Sequence, residues 1–347
     1  MTVDSPQIKR KVTMRDVAKA ANVSQSTVSR ILSPSTSQSK VPISEETIEK
    51  VLTVVKELGY QPNQYARSLR GQKNHVIGML IADISNPFYH PMVRAVQDVA
   101  SHYHYSVMIA NSDHLHEKET LFCEALLRRP VDGAVLIPYH LSDDDLQNLM
   151  ARTGMAISAV GNHIQHPNVD VVYADDTKAS YEAVQWLIEQ RRHQRIAMIC
   201  ADHNFPVIVR RYSAFQKAME DAGLSVPPEY VVEGDWSPES GGRAIRSLLA
   251  LPNPPTAVFA ASDTIAIGAL AAAEDMNYQV PEDIAIIGFD DIPAAAWVRP
   301  QLSTVAQYPD QMGTLLASAL FERISGEYNG PSRRFEVPCR FLERGSA

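Results

Sequence analysis

The chain has 347 residues, of which 45% are hydrophobic, and its formal net charge is −8. This length predicts two or three compact units, and the composition does not indicate disorder. No apolar run is long enough to cross a bilayer, and the basic residues near the N-terminus are not followed by the apolar segment of a secretory signal. We therefore expect a soluble, cytoplasmic protein without a membrane partner.

The charge is unevenly distributed along the chain. Residues 1–73 contain twelve Lys and Arg against six Asp and Glu, a balance of +6, whereas the remainder has 20 against 34, a balance of −14. A basic module on an acidic body favours contact with phosphates through one end alone, although a basic face can also be merely solvated.

The cysteines do not indicate a disulfide framework or a zinc site. Cys123, Cys200 and Cys339 are an odd number, lie far apart and share no CxxC spacing. Buried, reduced thiols are the better interpretation, and we expect no metal and no cofactor.

The first structured segment has the pattern of a helix-turn-helix. In residues 12–32 the apolar positions are spaced for two short helices packed at an angle. Thr13 and Ser24 can cap the two helices, Asn22 tolerates a left-handed turn, and Val23 can fill the gap between them. In isolation the same pattern also fits an ordinary corner between two helices.

The second of these helices presents short hydrogen-bonding groups and an arginine, a set suited to base edges and phosphates. The predicted DNA-binding residues of this module are Thr13, Ser24, Gln25, Ser26, Thr27, Ser29 and Arg30. A third helix, residues 45–58 capped by Ser44, has an apolar face formed by Val51, Leu52, Val55 and Leu58 and is expected to close a three-helix core.

Beyond residue 75, short β-branched runs alternate with amphipathic helical patterns. The pattern predicts α/β units with doubly wound parallel sheets covered by helices on both faces, and two such sheets fit the length better than one. The strand candidates are residues 75–83, 105–112, 132–138, 156–162, 195–202, 229–235, 256–263 and 284–292.

Seven motifs occur in one order along the chain. They are VAKAANVSQSTVSR, LGYQPNQYARSLR, IGMLIADISNPFYHPM, VDGAVLIP, AASDTIAIGALAA, VPEDIAIIGFDDI and LSTVAQ. In this order they resemble the LacI/GalR family of bacterial transcriptional regulators from about residue 12 to near the C-terminus. The resemblance implies a small all-α helix-turn-helix domain followed by a periplasmic-binding-protein-like core of two α/β subdomains.

The resemblance implies that residues 62–70 form a hinge helix that orders on DNA and pairs with its dimer mate. The expected DNA-contacting residues there are Asn63, Ala66, Leu69 and Arg70. An exposed leucine beside arginines is suited to wedge between base steps, although packing of the linker against the body is the alternative. The loop at residues 33–42 is longer than the usual family connection, so its contacts stay open.

The resemblance also implies a ligand cleft between the subdomains. The expected effector-binding residues are Phe88, Tyr89, Asn162, Arg211, Trp236, Asp263 and Asp290. Rings can cover apolar ligand faces, while an arginine and an aspartate satisfy hydroxyl groups. Asp263 is as well suited to cap a helix as to contact a ligand. Asn162 stands where relatives often have an aspartate.

The predicted domains are residues 1–61 for DNA binding, 62–74 for the hinge helix and linker, and 75–347 for the core. Within the core, the N-subdomain is expected at about 75–174 and 306–331, and the C-subdomain at about 175–305 and 332–347. The histidine pairs at 102/104, 114/116 and 163/166 are interpreted as solvated surface groups rather than metal ligands, and Asp143–Asp145 as a charged first helical turn.

Three hypotheses of function remain. The leading one is a regulator, expected to be a repressor, that binds a pseudo-palindromic DNA operator as a homodimer. A small-molecule effector controls it: a sugar, sugar derivative, nucleoside or purine. A regulator controlled by a protein partner is the second. A solute-binding receptor is the third, and the absence of a signal peptide and the DNA module argue against it. No enzymatic motif is present.

Overall fold

The computed structural model describes residues 12–32, 43–60, 73–129 and 131–347. It divides the chain into two compact units, Met1–Asn74 and His75–Ala347. The described part of the first unit contains helices α1 (Met14–Ala21), α2 (Gln25–Leu32) and α3 (Glu45–Leu58). These bounds agree with the helices predicted from the sequence, whereas the hinge segment and the loop at 33–42 lie outside the described residues.

The core of the first unit joins all three helices. It consists of Val17, Ala18, Ala21, Val28, Val51 and Tyr60. The predicted apolar face of α3 is only partly correct, because Leu52 is 49% exposed and Leu58 is 38% exposed. At 1.5 Å per residue α3 extends about 21 Å and the eight-residue α1 and α2 about 12 Å each, so α3 is longer than either of the two helices described beside it.

The second unit contains twelve strands within the described residues. They are β1 (Val76–Ile81), β2 (Ser106–Asn111), β3 (Gly133–Leu136), β4 (Ala156–Val160), β5 (Asp170–Ala174), β6 (Ile196–Cys200), β7 (Val231–Glu233), β8 (Ala257–Ala260), β9 (Ala285–Ile287), β10 (Thr304–Ala306), β11 (Arg334–Val337) and β12 (Arg340–Leu342). They form a six-stranded sheet in the order β11-β5-β4-β3-β1-β2, a four-stranded sheet in the order β7-β6-β8-β9, and the pair β10-β12.

We call the six-stranded sheet with its helices the first lobe. Its strands pair in parallel. Helices α4 (Tyr89–His102) and α11 (Pro309–Ser325) cover one face, and α5 (His116–Arg128) and α6 (Asp143–Thr153) cover the other. The buried strands are rich in Val, Ile and Leu, as expected for a sheet covered on both faces.

The second lobe is the four-stranded sheet with its helices, and it repeats this plan. Its strands are also parallel. Helices α7 (Asp176–Glu189) and α8 (Pro206–Asp221) cover one face, and α9 (Pro238–Leu249) and α10 (Asp263–Asp275) cover the other. The antiparallel pair β10-β12 packs against the α7 and α8 side through Val305 and Phe341. The predicted fold class is confirmed.

The chain passes between the lobes three times: after β5, after β10 and after β11. This corrects the predicted subdomain boundary, since residues 332–347 were expected in the second subdomain whereas β11 pairs with β5 in the first sheet. All eight strand candidates contain strands, but β5, β10, β11, β12 and helix α11 were not predicted. β11 (RFEV) alternates charged and apolar residues because it is an edge strand.

Candidate functional site

The helix-turn-helix in the first unit is fixed by its caps. The Thr13 hydroxyl accepts a hydrogen bond from the backbone N–H of Asp16, and the Asp16 carboxylate accepts one from the Thr13 N–H at 2.8 Å. Asn22 ends α1 in the left-handed conformation with φ of 54°. The side chain of Thr13 is part of this capping box and therefore has a structural role at the start of α1.

The first turn of α2 carries a cluster of hydroxyl groups. Ser24 accepts from the N–H of Thr27 at 3.1 Å, and its Oγ lies 2.7 Å from that of Ser26. Gln25 and Ser26 are exposed, whereas Ser29 and Arg30 are partly exposed. The expected recognition surface is therefore a short polar helix face. Asn63, Ala66, Leu69 and Arg70 lie outside the described residues.

A cavity lies between the two lobes of the second unit, where the strands of both sheets end. It encloses about 100 Å³, and we call it the inner cavity. Its walls come from loops after β3, β4, β5 and β9 and from the starts of α4 and α8. The carboxyl ends of parallel strands are where α/β sheets bind ligands. Five of the seven predicted effector residues line it: Phe88, Tyr89, Arg211, Trp236 and Asp290.

Arg211 is the central cation of the inner cavity. Its side chain is 4% exposed, and its guanidinium lies 3.7 Å from the ring centroid of Phe289. One Nη1 hydrogen bond goes to the carbonyl of Ala261, whereas Nε is buried without a partner. The nearest carboxylates, Asp176 and Asp290, lie 3.9 and 4.0 Å away, beyond hydrogen-bond length. Arg211 thus keeps unused hydrogen-bonding capacity inside the protein.

Asp290 faces Arg211 from the loop after β9. Its Oδ1 accepts a 2.6 Å hydrogen bond from Nε2 of Gln307. Burial raises the pKa of Asp290 to about 7, against the opposing effects of Arg211 and Gln307. Its backbone has φ of 119°, a strained conformation for a residue with a side chain. Such strain is maintained when the surroundings over-determine it, often at functional sites.

Aromatic groups form the remaining walls. Phe88 meets Tyr89 edge-on at 5.2 Å, and the hydroxyl of Tyr89 lies 3.1 Å from that of Tyr139. Trp236, from the second lobe, has a buried Nε1 without a hydrogen-bond partner. A buried indole N–H normally has an acceptor, so a ligand acceptor could satisfy it.

Two predicted effector residues do not line the inner cavity. Gly161 and His163 do so on either side of Asn162, whose backbone carbonyl instead accepts from Arg334. Asp263 is fully buried at the start of α10, where it accepts from the N–H of Ile292 at 2.8 Å and from the hydroxyl of Thr304. It anchors the loop that carries Asp290, and Ser262 is the cap of the helix.

An ion pair that was not predicted from the sequence joins Asp176 and Arg210, both of which line the inner cavity. Arg210 donates two hydrogen bonds to Asp176, at 2.7 and 2.8 Å. Asp176 is buried at the start of α7. The available signal in the sequence was that Arg210 directly precedes the predicted ligand arginine, Arg211. Only the fold shows which carboxylate Arg210 meets.

The interpretation of the histidine pairs as solvated surface groups was wrong for His114 and His166, whereas His102, His104 and His116 are exposed. His114 lines the inner cavity among aromatic rings, and His166 is 4% exposed with Nε2 2.8 Å from Oε1 of Gln147. Sequence spacing does not distinguish a histidine at a helix-strand junction from one directed into a cleft. Among the described residues, no group of three or more His, Cys, Asp or Glu is placed to hold a metal ion.

Two family models match the chain. Residues 13–63 match the model described as bacterial regulatory proteins, lacI family, and residues 184–347 match that of a periplasmic binding protein-like domain. The HTH-type transcriptional repressor CytR of Escherichia coli (strain K12) is 32% identical over 338 residues, which is 96% of each chain. The chain belongs to the LacI family. It is a DNA-binding transcriptional regulator, as the sequence predicted.

Solved structures agree with this assignment. The transcriptional regulator CelR–cellobiose complex matches with a TM-score of 0.71 and 28% identity, over 97% of this chain and 100% of that one. A LacI family transcriptional regulator from Enterococcus faecium with bound ribose matches with a TM-score of 0.70 and 27% identity, over 78% and 98%. In the described part of this LacI-family chain, no helix is long and apolar enough to cross a membrane.

Proposed function

We propose that a small molecule bound in the inner cavity controls the affinity of this regulator for its DNA operator. The observation that carries the proposal is the incomplete pairing of two buried donors, Nε of Arg211 and Nε1 of Trp236, in one cavity. A buried donor without an acceptor costs free energy, and a ligand oxygen or nitrogen would remove that cost. Arg211 and Asp290 bind the ligand from the second lobe, and Phe88 covers it from the first.

The effector is a neutral or weakly charged molecule with several polar groups and an apolar face: a sugar, sugar derivative, nucleoside or purine. Arg210 and Asp176 compensate each other, and Arg211 faces Asp290, so the lining favours dipolar groups over a strong net charge. Two similar regulators carry sugars, cellobiose and ribose. Because ligand pockets usually enclose 300–1,000 Å³, the lobes must separate to admit any but the smallest of these compounds.

The regulator acts as a homodimer on a pseudo-palindromic operator. A dimer places two copies of α2 in successive major grooves, with Gln25, Ser26 and Arg30 towards base edges. Leu69 enters the minor groove at the centre of the site, Arg70 holds the DNA backbone beside it, and Asn63 and Ala66 also contact the DNA.

Selection from random duplexes tests the DNA half. We expect symmetric sites, and Arg30→Ala should lose about 1–3 kcal/mol of discrimination at one base pair of each half-site. Lys50→Ala, on the exposed side of α3, is the matched control. Enrichment of asymmetric single half-sites would contradict the dimer.

A ligand screen tests the effector half. Sugars, nucleosides and purines are added singly to the full chain, and thermal unfolding and operator release are measured together. A ligand at 100 times its Kd stabilises the folded state by about 2.7 kcal/mol. Arg211→Gln should abolish this shift, whereas Arg246→Gln, an exposed arginine of the second lobe, should keep it. If no compound shifts unfolding, control by a protein partner becomes the better hypothesis.

A further inference from the structure

The inner cavity adjoins a second space between the lobes. This outer cleft, of about 650 Å³, is bordered by Asp83, Asp113, Asp235 and residues at the start of α10. Three residues line both spaces: Asn86, His114 and Trp236. These three side chains therefore stand between the outer cleft and the inner cavity.

His114 joins the lobes through ring contacts. It belongs to the loop before α5 of the first lobe, and its ring stacks on Trp236 of the second lobe at 5.8 Å and 20°. It also lies 5.3 Å from the ring of Phe205, again in the second lobe. Tyr139 meets His114 edge-on at 4.7 Å and Phe205 at 5.1 Å. The lobes are thus bridged by a cluster of four rings.

The backbone presents His114 to this cluster at a conformational cost. Asp113 and His114 have φ of 47° and 58°, the left-handed region that few residues with side chains adopt. The carbonyl of His114 lies 2.9 Å from Nε2 of His140. Two consecutive residues held in this region indicate that the surrounding contacts, rather than local preference, decide where the ring points.

Glu119 anchors the same region from beneath. This fully buried carboxylate accepts hydrogen bonds from the backbone N–H groups of Tyr139, His140 and Leu141, at 2.7, 3.0 and 2.9 Å. It fixes the loop that carries Tyr139 and His140, and hence the support on which His114 rests. Sequence reasoning offered no sign of this anchor.

The electrostatic environment suits a neutral ring in this position. Burial lowers the pKa of His114 to about 4, and His140 acts in the same direction, whereas Asp83 and Asp113 oppose the change. An uncharged imidazole can stack between Trp236 and Tyr139 without the cost of burying a cation.

We propose that His114 is the closing residue of the effector site: its stack on Trp236 and Phe205 shuts the inner cavity against the outer cleft and must break for a ligand to pass. The proposal rests on the proposed effector role of the inner cavity. It assigns a function to His114, whose ring contacts among the described residues are with other aromatic rings. It predicts that His114 governs the rate at which small molecules enter the inner cavity.

Access can be measured without an effector. Ala174, 8% exposed at the end of β5, lines the inner cavity, and Ala174→Cys places a thiol there. The test follows modification of this thiol in the full chain by methyl methanethiosulfonate. The native thiols of Cys123, Cys200 and Cys339 have pKa values raised by burial to about 12, so they react slowly. The parent chain without Ala174→Cys supplies the background rate.

In the Ala174→Cys chain, His114→Ala should raise the modification rate about threefold to tenfold, the factor expected from loss of one aromatic pair. His114→Phe, which keeps a ring, should stay within about twofold. His102→Ala, an exposed histidine at the end of α4, is the matched control. If His114→Ala does not fold, Phe205→Leu removes the facing ring and should raise the rate in the same direction.

Equal modification rates in the Ala174→Cys chain with and without His114→Ala or Phe205→Leu would overturn the closing role. That result is separable from failure of the effector hypothesis, because no effector is used. Conversely, a screen without any ligand would leave the rate difference intact and would show a gated cavity that serves another purpose.

Discussion

Two buried clusters of arginine and aspartate lie at opposite ends of the same strand, β5, and they are completed to different degrees. At its start, Asp170 accepts from Nε of Arg323 at 2.7 Å and from the side chain and N–H of Arg333 at 2.9 and 2.8 Å. Beyond its end, in the inner cavity, Arg211 lies 4.0 Å from Asp290. In the first cluster both oxygens of the Asp170 carboxylate accept hydrogen bonds, although Nε of Arg333 is buried without a partner. In the second cluster the separation of Arg211 and Asp290 exceeds hydrogen-bond length.

This difference separates stability from binding. Burial alone would raise the pKa of Asp170. The hydrogen bonds from Arg323 and Arg333 nevertheless hold this pKa below its usual value. In the inner cavity burial prevails, and the pKa of Asp290 is raised. Removing one partner from a complete buried pair destabilises a fold, whereas an incomplete pair at the carboxyl ends of strands can be completed by a ligand.

The largest expected effect is on the paired cluster. Asp170→Ala leaves two partly buried guanidinium groups without their carboxylate and should lower the free energy of unfolding by about 3–5 kcal/mol. Urea unfolding of the full chain measures this. Asp275→Ala, which removes the exposed partner of Arg246, should cost under about 1 kcal/mol. A small effect at Asp170 would show that the two clusters do not differ as described.

A smaller effect is expected on ligand binding at the incomplete cluster. Asp290→Ala should leave ligand hydroxyls unpaired and weaken effector binding by about 1–3 kcal/mol, while operator affinity without effector stays near that of the unaltered chain. Calorimetric titration and operator release measure the two quantities. Normal effector response in both Asp290→Ala and Arg211→Ala would contradict the assignment of the inner cavity.

Much of the fold follows from the sequence because hydrophobic periodicity reports local structure. The eight candidate strands and the helix-turn-helix are all present. β5 escaped prediction because it is a five-residue run that begins with a charged residue, Asp170, whose burial depends on Arg323, 153 positions away. β11 escaped because an edge strand keeps polar residues. Pairing between distant segments leaves no local periodicity.

The site was only partly predictable for the same reason. Phe88 and Asp290 were identified through motifs of the family resemblance, and Arg211 and Trp236 through positions that match the family outside those motifs. Asp263 shares such a motif, yet the structure uses it to anchor a loop. His114 carries no motif, and its position depends on a strained backbone and on rings from the other lobe. Motifs indicate which residues recur, but not which ones face a cavity.

The dependence of stability on pH should have opposite signs at the two clusters. Asp290 has a folded pKa of about 7 against an ordinary value of 3.8, so between about pH 4 and 7 the folded chain holds a proton that the unfolded chain has released. The contribution of Asp290 to the free energy of unfolding is therefore present at low pH and is lost as the pH rises through that window. Because at most one proton is involved, the free energy of unfolding changes by at most about 1.4 kcal/mol per pH unit.

Asp170 has a folded pKa below its ordinary value of 3.8. Its contribution to the free energy of unfolding is therefore present above that ordinary value and is lost as the pH falls below it. Urea unfolding between about pH 2.5 and 8 of the parent, Asp290→Asn and Asp170→Asn measures both slopes, because the Asp170 window lies below its ordinary pKa of 3.8. Burial and the charge of Asp290 both raise the pKa of Asp263, so the contribution of Asp263 cancels in the difference between the parent and Asp170→Asn, whereas the Asp290→Asn difference reports the coupled pair. The advantage of the parent over Asp290→Asn should shrink as the pH rises towards 7, because the asparagine never has to lose a proton inside the cavity. Parallel profiles of parent and Asp290→Asn would mean that Arg211 already holds Asp290 ionised, and the inner cavity would then be as fully paired as the cluster at Asp170.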